Sequence, residues 1–100
     1  MEQAKLIAGG FVRTTYPRQE GEFLTKKVLV SQMPYANEHL VDGDFIHADM
    51  EAVTELVPDG TVQLSIAGAD YVEGPHPVGS EEGIALLNDA LAAPGPSLPL

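Results

Sequence analysis

The stretch Val57-Pro58-Asp59-Gly60-Thr61 determines how the middle of this chain folds. Proline presets the backbone angle for the second position of a type I turn, and aspartate suits the third position. Glycine then takes the left-handed conformation that completes a three-residue hairpin loop. The stretch therefore predicts a β-hairpin in which residue 57 lies opposite residue 61.

The residues on either side of this turn alternate in the register that such a hairpin requires. The pairs that follow from the loop are Leu56 with Val62, Thr54 with Leu64, and Ala52 with Ile66. Even-numbered positions carry apolar or small side chains on both sides of the turn, whereas most odd-numbered positions are polar. A helix over residues 49–57 is the alternative, because Met50, Val53 and Val57 also fall at helical spacing. We favour the hairpin, since the helix leaves the matching register unexplained.

Two further strands are expected before this hairpin. Residues 5–16 and 23–33 are rich in side chains that favour strands. The polar segment between them runs from Pro17 to Gly21, so a second hairpin is expected. The Gly9-Gly10 pair within the first strand indicates a bulge, a bend or a close approach of the backbone. A short helical turn is expected to start at Pro34.

One helix is expected near the C-terminus. The two prolines within residues 74–77 cannot take part in a central β-ladder, and they predict an extended connector. Ser80 then caps a helix over about residues 81–93, with Ile84, Leu87 and Leu91 in one stripe. Residues 94–100 form a short proline-rich tail, for which we expect flexibility.

These elements predict one small α+β domain over residues 1–93. It consists of an antiparallel sheet of about four strands, formed by two hairpins, with the C-terminal helix packed on one face. The expected core residues are Leu6, Val12, Val28, Val30, Met50, Leu56, Val62, Leu64, Ile66, Ile84, Leu87 and Leu91.

The composition agrees with one folded domain. The chain has 100 residues, of which 44% are hydrophobic, and this is enough for a core. The absence of cysteine excludes disulfides, thiolate metal sites and cysteine nucleophiles. No apolar run reaches the roughly 20 residues of a membrane helix, and the first residues lack the pattern of a signal peptide. We therefore expect a cytoplasmic protein with no cofactor and no membrane partner.

Charge is distributed unevenly along the chain. The net charge is -10, yet all five lysine and arginine residues lie within the first 27 positions. Only three of the fifteen acidic residues lie there, so residues 28–100 carry the other twelve. Such a region repels nucleic acid and attracts basic proteins.

The hairpin register collects part of this charge on one surface. Asp49, Glu51 and Glu55 are expected on one side of a strand, with three more aspartates in the loops beside it. The six carboxylates expected to bind a partner are Asp42, Asp44, Asp49, Glu51, Glu55 and Asp59. They predict a non-catalytic interaction module that binds a basic partner protein and inhibits it, or imitates the nucleic acid that it binds. A solvated face that only provides solubility is the alternative.

Two other functions also fit the sequence. A structural subunit would form a homo-oligomer through its sheet edges, its tail, or contact between the basic first hairpin and the acidic second hairpin. A small metal-dependent enzyme would use His39, His47 and Asp49, with His76 farther along the chain. In a strand, His47 and Asp49 would project from the same face about 6.5 to 7 Å apart.

Overall fold

The structure, a computed structural model, describes residues 2–100. Within these residues it is an α+β fold with one five-stranded antiparallel sheet. The helices are α1 (Gln3–Ala8), α2 (Pro34–His39) and α3 (Glu81–Ala92), and the strands are β1 (Val12–Thr14), β2 (Phe23–Leu29), β3 (Glu51–Leu56), β4 (Thr61–Ile66) and β5 (Tyr71–Pro77). The predicted fold class is confirmed, with five strands where about four were expected. None of the described helices is long and apolar enough to cross a membrane.

The predicted hairpin, β3 to β4, lies at the centre of the sheet. The strands follow one another in space in the order of the chain, from β1 to β5. Leu56 lies opposite Val62, as the turn requires. The Val57 amide closes the loop by donating to the Thr61 carbonyl at 2.8 Å. The alternative helix over residues 49–57 is therefore wrong.

The first predicted strand is wrong over much of its length. Most residues of α1 are strong helix formers, so local propensity there favours a helix over the strand that was expected. The close backbone approach expected at the glycine pair is confirmed. A Cβ on Gly9 would clash with the Leu91 side chain, and a Cβ on Gly10 would lie 2.7 Å from the Gly95 carbonyl oxygen.

Two other strands are shorter than expected. A 3-10 turn over Val30–Gln32 follows β2, and α2 then begins at Pro34, as expected. β3 begins late, because the Met50 amide donates to the His47 carbonyl at 3.1 Å and closes a turn before the strand. His47 and Asp49 therefore precede the strand instead of sharing its face.

The segment with two prolines is the fifth strand, and the prediction of a connector is wrong. β5 lies at the edge of the sheet, next to β4. An edge strand is paired on one side only, so Pro75 and Pro77 can lie in it although they have no amide hydrogen. The sequence rule against proline holds for central strands, and this strand is not central.

α3 covers one face of the sheet. Leu87 and Ala90 are fully buried beneath it. Gly83 allows the helix to approach β5 closely, since a Cβ at this position would clash with the Pro77 carbonyl. This close approach fixes which side of the helix is buried, and Ile84, expected in the buried stripe, is 42% exposed.

Most of the expected core is buried. Its fully buried members are Leu6, Val28, Val30, Val62, Leu64, Ile66 and Leu87. Met50, Leu56 and Leu91 are half-buried and pack against this cluster. Val12 was wrongly expected in the core, since it lies on the edge strand β1 and is 44% exposed.

The core also contains a charged side chain. Lys26 of β2 is fully buried, and its Nζ donates to the carbonyls of Gly9 at 2.8 Å, Ala90 at 2.9 Å and Ala93 at 2.7 Å. These carbonyls lie at the C-terminal ends of α1 and α3, where a helix has unpaired acceptors and a partial negative charge. Burial lowers the pKa of Lys26. One ammonium group thus joins β2 to the ends of two helices.

The tail runs beside β2. The Ser97 amide donates to the Gly10 carbonyl at 3.2 Å, and the Leu98 amide donates to the Lys27 carbonyl at 2.7 Å. The Lys27 amide donates in turn to Ser97 Oγ at 2.9 Å. These bonds give the tail a defined position next to the sheet, and its flexibility stays a prediction.

We call the sheet face opposite α3 the open face, which on β3 and β4 consists of Glu51, Val53, Glu55, Thr61, Gln63 and Ser65. The Tyr16 hydroxyl donates to Glu55 Oε2 at 2.6 Å, and Gln63 Nε2 donates to Glu55 Oε1 at 3.0 Å. The ring of Tyr16 packs edge-on against Phe23, with centroids 4.9 Å apart. Burial, the hydrogen bond to Glu55 and the charge of Glu55 together raise the pKa of Tyr16 to about 12.

Replacing Lys26 with methionine is expected to lower the free energy of unfolding by about 2 to 4 kcal/mol. Methionine leaves three carbonyls without their donor, and both helix ends lose the cation. Urea unfolding followed by circular dichroism measures the change. Lys27→Met is the matched control and should cost less than about 1 kcal/mol, because Lys27 forms a partly exposed ion pair. Equal losses in the two variants would contradict the role assigned to Lys26.

Tyr16 makes the fold sensitive to alkaline pH. Its neutral form is favoured in the folded chain, so its stabilisation is complete below its ordinary pKa of 10.0 and is lost as the pH rises to about 12. Tyr16→Phe should remove the late step from an ultraviolet titration of tyrosinate, and should flatten the fall in unfolding free energy above pH 10. Glu55→Gln should retain the step at a lower pH. A late step that persists in Tyr16→Phe would assign it to another tyrosine.

Candidate functional site

A groove lies between α2, α3 and the edge strand β5. Its volume is about 190 Å³. We call it the α3–β5 groove, and it is lined by Tyr35, Leu40, Leu64, Tyr71, Glu73, His76, Glu82, Ala85, Leu86 and Asp89. Carboxylates, tyrosines and a histidine converge there over an apolar floor, which makes this groove the candidate binding site.

A bulge in β5 brings the polar residues of this strand to the groove. Leu64 lies opposite Glu73, and Val62 lies opposite His76, so between these pairs two residues of β5 lie opposite one residue of β4. Gly74 accommodates the extra residue, with φ of +100° and no room for a side chain beside the Val62 carbonyl. In a regular strand, Glu73 and His76 would project from opposite faces.

Glu73 joins the other polar groups of this strand. Its Oε2 lies 2.6 Å from His76 Nε2, and its Oε1 accepts a hydrogen bond of 3.4 Å from the Tyr71 hydroxyl. Burial raises the pKa of Tyr71, and the charge of Glu73 and its hydrogen bond raise it further. Both oxygens of Glu73 therefore have partners, which hold the carboxylate in one orientation.

The opposite wall of the groove is formed by α2 and α3. The Asp89 carboxylate of α3 accepts hydrogen bonds from the backbone amides of Tyr35 at 2.8 Å and Ala36 at 3.1 Å. It therefore binds the start of α2. The ring of Tyr35 lies against His39, with centroids 4.4 Å apart, and 61% of Tyr35 is exposed. Glu82 lies in the first turn of α3. One carboxylate thus connects the two helices that form this wall.

The groove has the chemistry to bind a cation with an apolar body. Carboxylates form charge-assisted hydrogen bonds with ammonium and guanidinium groups, and tyrosine rings attract cations to their faces. Leu40, Leu64 and Leu86 supply the apolar surface. The lining contains neither lysine nor arginine, so these residues supply no cation of that kind to neutralise the carboxylates.

The pair formed by His76 and Glu73 also has the arrangement of a general base and its orienting carboxylate. Covalent catalysis additionally needs a nucleophile within reach. The lining contains no serine, cysteine, threonine or lysine. Its carboxylates, tyrosines and histidine do include side-chain types that form covalent intermediates in other enzymes.

The six carboxylates predicted to bind a partner are distributed over four places. Asp42 and Asp44 lie in the loop after α2, Asp49 and Glu51 at the start of β3, Glu55 within the open face, and Asp59 in the turn between β3 and β4. Only Glu51 and Glu55 share a strand face, because β3 starts after Asp49. The groove contains none of the six.

Two of the predicted residues stabilise loops. Asp42 Oδ1 accepts hydrogen bonds of 2.8 to 3.0 Å from the backbone amides of Asp44, Phe45 and Ile46. These bonds lower the pKa of Asp42. Asp59 Oδ1 accepts hydrogen bonds from the backbone amide and the hydroxyl of Thr61, two residues later in the hairpin. Both aspartates therefore have a local structural role in addition to their charge.

Two others are paired across the sheet. Lys27 Nζ lies 3.3 Å from Glu51 Oε1, and Glu55 accepts the two hydrogen bonds of the open face described above. Asp44 and Asp49 are exposed, with their side chains towards solvent. Within residues 2–100, these two carboxylates are the members of the predicted set that form neither a hydrogen bond nor an ion pair.

The histidines proposed for a metal site lie apart. His39 lies in α2 against Tyr35, His47 lies in the turn before β3, and His76 lines the groove. Among residues 2–100, no three side chains of histidine, aspartate or glutamate are arranged to hold a metal ion. The metal-dependent alternative has no ligand set in this part of the chain.

Sequence reasoning missed the groove because its walls come from separate elements. One signal was present, since a glycine inside a strand-like run indicates a bulge, and Gly74 has this position. No local pattern could show that Asp89 binds the start of α2, because this contact depends on how the two helices pack.

No family model matches the chain, and no curated protein or solved structure matches it significantly.

Proposed function

We propose that this chain is a non-catalytic interaction module that binds a basic partner protein in the cytoplasm. Its negative field steers such a partner towards it and accelerates association. A partner that normally binds nucleic acid presents cations arranged for phosphates. By occupying those cations, the module acts as an inhibitor of nucleic-acid binding.

The observation that supports this proposal most is the way in which the chain uses its own cations. Lys26 is buried against the helix ends, Arg13 Nε bonds Glu22 at 3.1 Å, and Lys27 pairs with Glu51. Residues 28–100 carry twelve carboxylates and no lysine or arginine. Much of the negative surface thus has no neighbouring cation in sequence, and a basic partner would supply the missing charge.

The sheet edges give less support to assembly as a structural subunit. Edge-to-edge pairing needs free backbone donors, which Pro75 and Pro77 of β5 lack. On the other side of the sheet, β1 pairs with β2 only over residues 23–25, and beyond it the Leu98 amide of the tail already donates to the Lys27 carbonyl. A contact between the basic first hairpin and an acidic surface would also have to break the existing pairs of Arg13 and Lys27.

Reversing two exposed charges should weaken binding to a basic probe. The double variant Asp44→Lys and Asp49→Lys is expected to bind a lysine- and arginine-rich peptide about tenfold more weakly at low salt. Isothermal titration calorimetry at low and high salt measures the affinity. The wild type should lose affinity as salt increases, because the attraction is electrostatic.

Glu2→Lys with Glu20→Lys provides the matched control, since it changes the net charge equally at two exposed positions of the first 27 residues. We expect the smaller loss in this control. If the wild type does not bind the basic peptide even at low salt, the proposed function is wrong. Equal losses in both double variants would remove the predicted acidic residues as a local binding surface.

A further inference from the structure

We propose that the α3–β5 groove is the anchor site for one lysine or arginine side chain of the basic partner. This inference rests on the proposed function and names the contact by which the partner is held. The groove provides negative charge, aromatic surface and an apolar floor within one cavity.

Charge complementarity identifies the kind of occupant. Glu73, Glu82 and Asp89 bring three carboxylates to the groove. Among the chain's own cations, Lys26 and Lys27 are bound at other places, with Lys26 in the core. Because the groove lining contains neither lysine nor arginine, a positive group from outside the chain is the complementary ligand.

The size of the groove indicates a single side chain. Its volume of about 190 Å³ lies below the roughly 300 Å³ at which pockets for drug-sized ligands begin. Lysine and arginine have aliphatic stems that lie on apolar surface while the charged end remains among polar groups. Leu64 and Leu86 would contact the stem, and Tyr35 and Tyr71 would contact the cation.

The acidic groups are held in place before any ligand arrives. Glu73 is bonded by Tyr71 and His76, and Asp89 is bonded by backbone amides of α2. A prepared site loses little conformational freedom on binding, which favours affinity. Glu82 is exposed in the first turn of α3 and can meet the incoming charge.

Nuclear magnetic resonance of the full chain tests whether the groove accepts such a side chain. The probes are the Nα-acetyl methylamides of lysine, arginine and norleucine. We expect lysine or arginine to shift the amide signals of Tyr71, Glu73 and Glu82, and the two probes show which cation is preferred. Norleucine retains the apolar stem without the charge and should shift them little. Equal shifts with norleucine, or none with the two cations, would overturn the proposal.

Variants with matched controls test the same site in binding to the basic peptide. Tyr35→Leu and Glu82→Gln should each weaken binding about fivefold, through loss of a ring or of a charge. Phe45→Leu changes another aromatic residue, 73% exposed and outside the groove lining, and Glu81→Gln changes the exposed neighbour of Glu82. Both controls should bind like the wild type, and circular dichroism checks that all four variants fold.

The outcomes separate this proposal from the proposed function. If the wild type binds the peptide and all four variants bind equally well, the groove is not the anchor, while the interaction module stands. If the wild type does not bind the peptide, both proposals fail. Spermidine serves as a free polyamine probe. If it binds the groove more tightly than the peptide does, the occupant is a polyamine instead of a protein side chain, and this proposal is wrong.

Discussion

The buried ammonium group of Lys26 constrains the position of three elements at once. It lies on β2 and binds carbonyls at the ends of α1 and α3, so neither helix can shift without breaking a charge-assisted bond. A buried cation is tolerated only when its donors are satisfied, and here all three are. The groove depends on this arrangement, because the position of α3 over the sheet sets how Glu82 and Asp89 face β5.

The central part of the fold could be predicted because independent signals agree there. The turn at Pro58-Asp59-Gly60 and the alternation beside it specify one register, and the structure has that register. α1 and β5 were harder to predict, because their conformations depend on contacts distant in sequence. α1 ends against Lys26, and β5 tolerates its prolines only because it lies at the edge.

The acidic character of the chain follows from its composition, whereas the roles of single carboxylates do not. Asp42 and Asp59 resemble other exposed acids in the sequence, yet their neighbouring backbone amides make them loop residues. Glu73 and His76 were not expected together, since regular alternation separates them. Their meeting depends on one extra residue in β5, which the periodic pattern alone does not reveal.

The bulge at Gly74 makes the groove depend on the register of β5 as much as on the identity of its residues. If β5 lost this bulge and kept all its residues, regular alternation would turn His76 away from Glu73, while the core beneath β4 would keep its side chains. A change of one position in the register of this edge strand would therefore remove a polar group from the groove in one step. The edge strand is thus the part of this fold that can change the lining of the groove without rebuilding the core.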